Sequence, residues 1–149
     1  MTNFPWLSVI TFAPMIGVIF ILLIRGNPEV VARNTRAVAL WTSLITFAVS
    51  MGIWVRFDNA IVGFQFEEKA VWMESLGLAY HLGVDGISMF FILLSTLLTV
   101  LCIAASWISI TDRVKEYMIS FLVLETLMIG MFSALDLVLF YVFFEGVLI

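Results

Sequence analysis

Two carboxylates stand where an apolar sequence rarely carries them. Glu125 lies in the run YMISFLVLETLMIGMF and Glu145 in the run LVLFYVFFEGVLI. An acid inside a helix that spans a bilayer is expensive to keep there, so a role in moving protons or ions is its default reading. Between the two runs sits Ser133-Ala134-Leu135-Asp136. Glu125 precedes Ser133 by eight residues and Glu145 follows Asp136 by nine. A helical rise of about 1.5 Å per residue puts the acids roughly 12 and 14 Å from that turn. In a hydrocarbon core about 30 Å thick, both then lie near the midplane. Antiparallel helices pack about 8–10 Å apart. The spacing therefore predicts two acids at one depth on neighbouring helices, with Glu145 and Glu125 as the proton-translocating pair. The competing structural reading is a neutral acid that glues helices together through a hydrogen bond. For Glu125, that reading adds a back-bond from the Thr126 hydroxyl along its own helix.

Other polar residues carry weaker signals. Asp136 opens the last apolar run and Asp85 precedes the third, both in positions that suit a helix N-cap; guiding ions at a helix mouth is the secondary role for Asp136. His81, the only histidine, falls in an extramembrane segment, where it is structural or part of a proton relay. Cys102, the only cysteine, has no disulfide partner within the chain and reads as a small packing side chain. Met128 and Met131 read as packing or lipid-facing residues. Glycine loops for nucleotides, flavin or haem signatures and nucleophile–base pairs are absent from the sequence, and one histidine cannot build a multi-histidine metal site. The chemistry left is the movement of protons or small cations.

The elements that must hold these residues are membrane helices. Of 149 residues, 63% are hydrophobic and only 12% are charged, with a mean hydropathy of +1.15; a water-soluble domain needs a far more polar surface. Five spans are predicted, over about Phe4–Ile24, Ala37–Val55, Ile87–Ile110, Tyr117–Phe132 and from Leu137 onward. The first contains Pro14 and Gly17, breakers that membranes tolerate when neighbours satisfy the backbone. It has no Lys or Arg before Arg25, so it reads as a retained helix and not a signal peptide. The last run has only 13 residues to Ile149, against about 20 needed to cross, which predicts the N-terminal part of a longer protein.

The loops differ in charge. Arg25, Arg33, Arg36, Arg113 and Lys115 fall on one side, and Arg56 and Lys69 on the other with four acids, Asp58, Glu67, Glu68 and Glu74. The positive-inside rule predicts an N-terminus outside. The segment from Arg56 to Gly86 is the one sizeable extramembrane piece. Val62–Phe66 alternates like a strand, and Ala70–Met73 and Leu78–Val84 predict a hairpin across Ser75-Leu76-Gly77. No basic stripe supports nucleic-acid binding. The fold class is an all-α multi-pass membrane protein with a small external β-hairpin. It divides into residues 1–116, three helices with the hairpin loop at about 56–86, and residues 117–149, the start of a further helical unit.

Tyr80-His81-Leu82-Gly83-Val84-Asp85-Gly86-Ile87-Ser88, Leu101-Cys102-Ile103-Ala104-Ala105-Ser106-Trp107, and Glu125 followed by Ser133 to Glu145 resemble the antiporter-like membrane subunits of respiratory complex I, the proton-pumping NADH:quinone oxidoreductase. The resemblance runs from about Phe64 to Ile149. It implies a protein about three times this length with an inverted repeat of five-helix units, the first beginning at the fourth span. It also implies that Glu145 pairs with a lysine on a later helix and that Glu125 matches a second membrane glutamate. The subunit would hold no cofactor itself; FMN, iron–sulfur clusters and quinone would belong to other parts of the complex. Partners would be neighbouring antiporter-like and other membrane subunits, with lipids, in a bacterial cytoplasmic or mitochondrial inner membrane. Two alternatives remain open: a subunit of a multi-subunit sodium/proton antiporter, and a membrane scaffold whose acids only specify packing.

Overall fold

A computed structural model of the chain describes residues 4–74 and 77–149. Five helices and one hairpin follow each other as α1 (Trp6–Leu23), α2 (Pro28–Arg56), β1 (Gln65–Met73), β2 (Leu78–Val84), α3 (Gly86–Ser109), α4 (Val114–Ser133) and α5 (Leu137–Leu148). The first four helices are long and apolar enough to cross a membrane; α5, with 12 residues, is shorter than a span.

The helix starts follow local rules. Asp85 caps α3 by accepting from Ile87 N–H at 3.1 Å and Ser88 N–H at 2.7 Å, and Ser88 Oγ accepts in return from Asp85 N–H at 2.9 Å. This is the reciprocal capping box. Asp136 caps α5 through Val138 and Leu139. The expectation for α2 needs correction: it begins at Pro28, not Ala37. Proline at the first helical position is preorganised for a helix, and Glu29 in the first turn matches its dipole. A hydrophobicity criterion misses this polar turn because it lies before the apolar stretch. For the same reason α4 begins at Val114, not Tyr117, and at 20 residues it is not short.

The hairpin is also longer than expected. Its first strand runs from Gln65 and pairs Glu68 with Leu82 and Ala70 with Tyr80, with irregularities between Gln65 and Glu68 and between Val71 and Met73. Val62–Phe64 is not strand, and Phe66 adopts φ 55° at the first irregularity, so of the alternating stretch Val62–Phe66 only Gln65 and Phe66 fall in β1. Ser75 and Leu76, in the expected turn, lie outside the described residues.

α4 is central, packing against α1, α2, α3 and α5. Two apolar clusters build the core. One, near the hairpin, joins Leu7, Ile10, Leu82, Ile92, Ile129 and Phe143. The other, at the far end, joins Val18, Ile21, Ile103, Met118 and Leu122. The buried positions of α2 and α3 are hydroxyl-rich: Ser43, Thr46 and Ser50 on α2 and Ser95, Thr96 and Thr99 on α3 are all buried. Ser50 and Thr96 share a hydrogen bond of 3.0 Å between the helices. Small hydroxyl side chains let backbones approach and bond across the seam, a device suited to lipid, where apolar burial between helices supplies little drive.

Candidate functional site: two membrane acids and a capped hairpin

Glu125 sits at the middle of α4 and is 1% exposed. Neither of its carboxylate oxygens has a hydrogen-bond partner among the described residues. The Thr126 hydroxyl is likewise buried without a partner, so it does not make the expected back-bond. A charge held this way is strongly unfavourable unless a proton, water or cation accompanies it.

Glu145 sits on α5 and is only partly buried. Its position relative to Glu125 follows from two close approaches. A Cβ on Gly130 would stand 2.5 Å from the Phe143 ring, and one on Gly146 would stand 2.8 Å from Leu127. In an antiparallel pair, these contacts bring Gly130 level with Phe143 and Leu127 level with Gly146. Glu145 is then level with Met128, three residues or about 4.5 Å along the axis from Glu125. At about 100° per residue, Glu125 points to the side of α4 opposite Leu127 and Gly130. Glu145 likewise lies well away from the α5 face that carries Phe143 and Gly146.

On this register the two acids lie at nearly one depth but on different sides of their helices. The helices are neighbours, but their acids diverge, Glu125 into the four-helix core and Glu145 away from α4. Length and spacing set depth; facing depends on which small residues make the seam. Gly130, three residues after Leu127, and Gly146, three residues after Phe143, are the signal that identifies it.

The remaining candidates gather at the hairpin end. Asp85 and Asp136 cap helices there. Hydrogen bonds from the backbone N–H of Ser88 hold the Asp85 carboxyl below the usual range, and that of Leu139 does the same for Asp136. His81, on β2, lies 3.0 Å from Glu67, and its backbone carbonyl accepts from Leu135 N–H at 2.8 Å. Thus His81 and Asp136 meet at the junction of the hairpin with the α4–α5 turn. Cys102, expected to be buried, is exposed on α3.

Sequence reasoning missed Glu68. Its carboxylate accepts from Leu7 N–H at 2.6 Å, Ser8 N–H at 3.1 Å and the Ser8 hydroxyl, so a strand residue caps α1 from another element. Tyr80 hydroxyl stands 2.8 Å from Ser8 Oγ; burial, foremost, raises the Tyr80 phenol above its usual range. Two cations do the converse at the far end. Lys115 Nζ donates to the Leu22 and Ile24 carbonyls at 3.1 Å each, at the end of α1. Arg36 donates to the Ile110 carbonyl, at the end of α3, at 2.7 Å. Nothing local in the sequence marks these long-range caps. Among the described residues there is no cluster of three potential metal ligands.

Comparison with known proteins places this arrangement. The chain is 51% identical to NADH-quinone oxidoreductase subunit M of Rhodobacter capsulatus, over 96% of the chain and 28% of that protein. It is 48% identical to NADH-ubiquinone oxidoreductase chain 4 of Chondrus crispus, over 93% of the chain and 28% of the relative. The chain is a homologue of these subunits. It also matches subunit M of Rickettsia prowazekii along its whole length at 38% identity, covering 30% of that relative. It thus spans under a third of the length of the curated relatives it matches. No family model matches the chain. Among solved structures, a chain of the membrane-bound sulfane sulfur reductase, an archaeal respiratory membrane complex, shares the fold with a TM-score of 0.70 at 18% identity, over 95% of this chain and 21% of that one.

Proposed function

We propose that the chain is the N-terminal part of a proton-translocating membrane subunit of NADH:quinone oxidoreductase, and that Glu145 is its proton-handling acid. The identity with subunit M over nearly the whole chain carries this reading. The facing of Glu145 supports its role. It lies on a helix that packs chiefly on α4 and β2, with Leu139 and Phe143 reaching the core beside Leu7 and Ile10, and it points away from α4. That leaves it open to a cation supplied from elsewhere, as an ion pair that changes distance during turnover requires. Glu125 is the second acid, held inside the bundle.

In this reading residues 117–149 begin the five-helix transport unit, although α4 itself starts at Val114. The basic loops lie inside and the hairpin outside a bacterial cytoplasmic or mitochondrial inner membrane. Other subunits carry FMN, the iron–sulfur clusters and the quinone site, and neighbouring antiporter-like subunits and lipids surround this one. Glu145→Gln in the full-length subunit of the assembled enzyme keeps shape and hydrogen bonding while removing the charge. It should leave assembly intact and stop proton translocation, with Glu145→Asp retaining part of it. Normal pumping by the glutamine variant would refute the assignment and favour a scaffold role.

A further inference from the structure

We infer that Asp136 is a positioning residue which joins the hairpin to α5 and thereby sets the depth and rotation at which α5 presents Glu145; the inference rests on the role proposed above for Glu145. The two oxygens of this carboxylate serve two elements. Oδ1 accepts from Val138 N–H at 2.9 Å and Leu139 N–H at 3.1 Å, capping α5. Oδ2 accepts from Ala79 N–H of β2 at 3.3 Å.

The backbone beside Asp136 makes the same connection. Leu135 N–H donates to the His81 carbonyl at 2.8 Å, and Ala134 forms a bridge with Leu82. The α4–α5 turn is thereby bridged to β2 at one point. The packing is close enough that a Cβ on Gly83 would stand 2.6 Å from Leu135 Cδ1.

An N-cap alone requires one acceptor, and serine or asparagine supplies it. Here the second acceptor is committed to another element. Within this stretch α5 packs chiefly on α4 and β2, with Leu139 and Phe143 in the core beside Leu7, Ile10 and Ile92, and Leu137, Val138, Tyr141 and Val142 are exposed. Sliding a helix by one residue moves a side chain by about 1.5 Å along the axis and about 100° around it. Glu145, nine residues from the cap, would move with the helix that carries it. The hairpin, pinned to α1 by Glu68, is the fixed body against which α5 is held.

The chemistry of asparagine separates the two jobs. In Asp136→Asn one oxygen still caps α5, but the group facing Ala79 N–H is a donor, so the link to the hairpin is lost. Gly83→Val attacks the same link from the hairpin side and leaves Asp136 untouched. Both variants, with Asp136→Ala and Glu145→Gln, are made in the full-length subunit of the intact enzyme. Two quantities are read: protons moved per electron, and the distance between spin labels on β2 and α5. Asp136→Asn and Gly83→Val should lengthen or broaden that distance and lower the proton-to-electron ratio at least twofold, with assembly and quinone reduction retained. A wild-type ratio in Asp136→Asn, with Glu145→Gln inactive, overturns the positioning role alone and leaves Asp136 a cap. A changed distance with an unchanged ratio also overturns it. Normal pumping by Glu145→Gln overturns the Glu145 reading and this inference with it.

Discussion

Glu125 and Glu145 come from similar sequence, a carboxylate in an apolar run, yet they occupy opposite kinds of place. Glu125 is enclosed by α1–α4, on the central helix, with no partner for either oxygen among the described residues. Glu145 lies on the edge helix, partly exposed and facing away from α4. The difference teaches that depth in the membrane does not decide what an acid does; the side of the helix does. A group sealed inside a bundle can change only with its own surroundings, whereas one at an edge is available to a charge on another element.

The strongest contrast should come from charge reversal. Glu125→Lys places an ammonium in a buried position with no carboxylate ion-paired to it among the described residues, and it should abolish assembly of the full-length subunit, read by its recovery in the membrane. Glu145→Lys, which sets a second cation beside the one proposed to face Glu145, should fail to pump while being recovered at a higher level than Glu125→Lys. Equal loss of assembly in both would erase the distinction between the two places.

Neutral replacement reverses the order of stability. Substituting a buried unpaired acid by an apolar residue of similar volume removes the cost of burying its polar group without a partner. Glu125→Leu should therefore match or exceed the wild type in thermal unfolding, while Glu145→Leu should change it little. A lower melting temperature for Glu125→Leu would mean that Glu125 makes a polar contact essential to the fold.

The two ends of the bundle offer a second contrast. At the hairpin end carboxylates close helix N-termini, Glu68 on α1, Asp85 on α3 and Asp136 on α5. At the far end cations close C-termini, Lys115 on α1 and Arg36 on α3. Each matches the sign of the helix dipole it meets. Removing a cap costs about 1 kcal/mol, so Glu68→Ala should lower stability by that order and speed exchange of the Leu7 and Ser8 amides first. The same sign rule makes the hairpin end acid-sensitive. Asp85 and Asp136 are held below the ordinary carboxylate range, so their stabilisation is complete above about pH 4 and is lost as pH falls through the lowered values. Hydrogen exchange at Ile87, Ser88, Val138 and Leu139, corrected for intrinsic rates, should lose protection below that point, while the Lys115 and Arg36 end should not.

Much of this was legible in the sequence because it is local. Apolar length marks five helices, and aspartate before an apolar run marks the caps at Asp85 and Asp136. The start of α2 at Pro28 was not, since it extends a helix past its apolar part. Glu68 and Lys115 were not, because each closes a helix sixty or more residues away. The facing of the two acids was hidden for a related reason. It is set by where Gly130 and Gly146 let α4 and α5 meet, and apolar spacing alone does not reveal which side of a wholly apolar helix will form the seam. Cys102 shows the same ambiguity: every position of such a run looks buried, and lipid-facing positions look like core.

The most direct test sets Glu145→Gln beside Glu125→Gln in one full-length, assembled enzyme, with protons moved per electron as the readout. The account predicts that the Glu145 variant stops translocating protons through this subunit, while the Glu125 variant keeps most of its ratio. Equal loss in both, or a loss confined to Glu125→Gln, would contradict it.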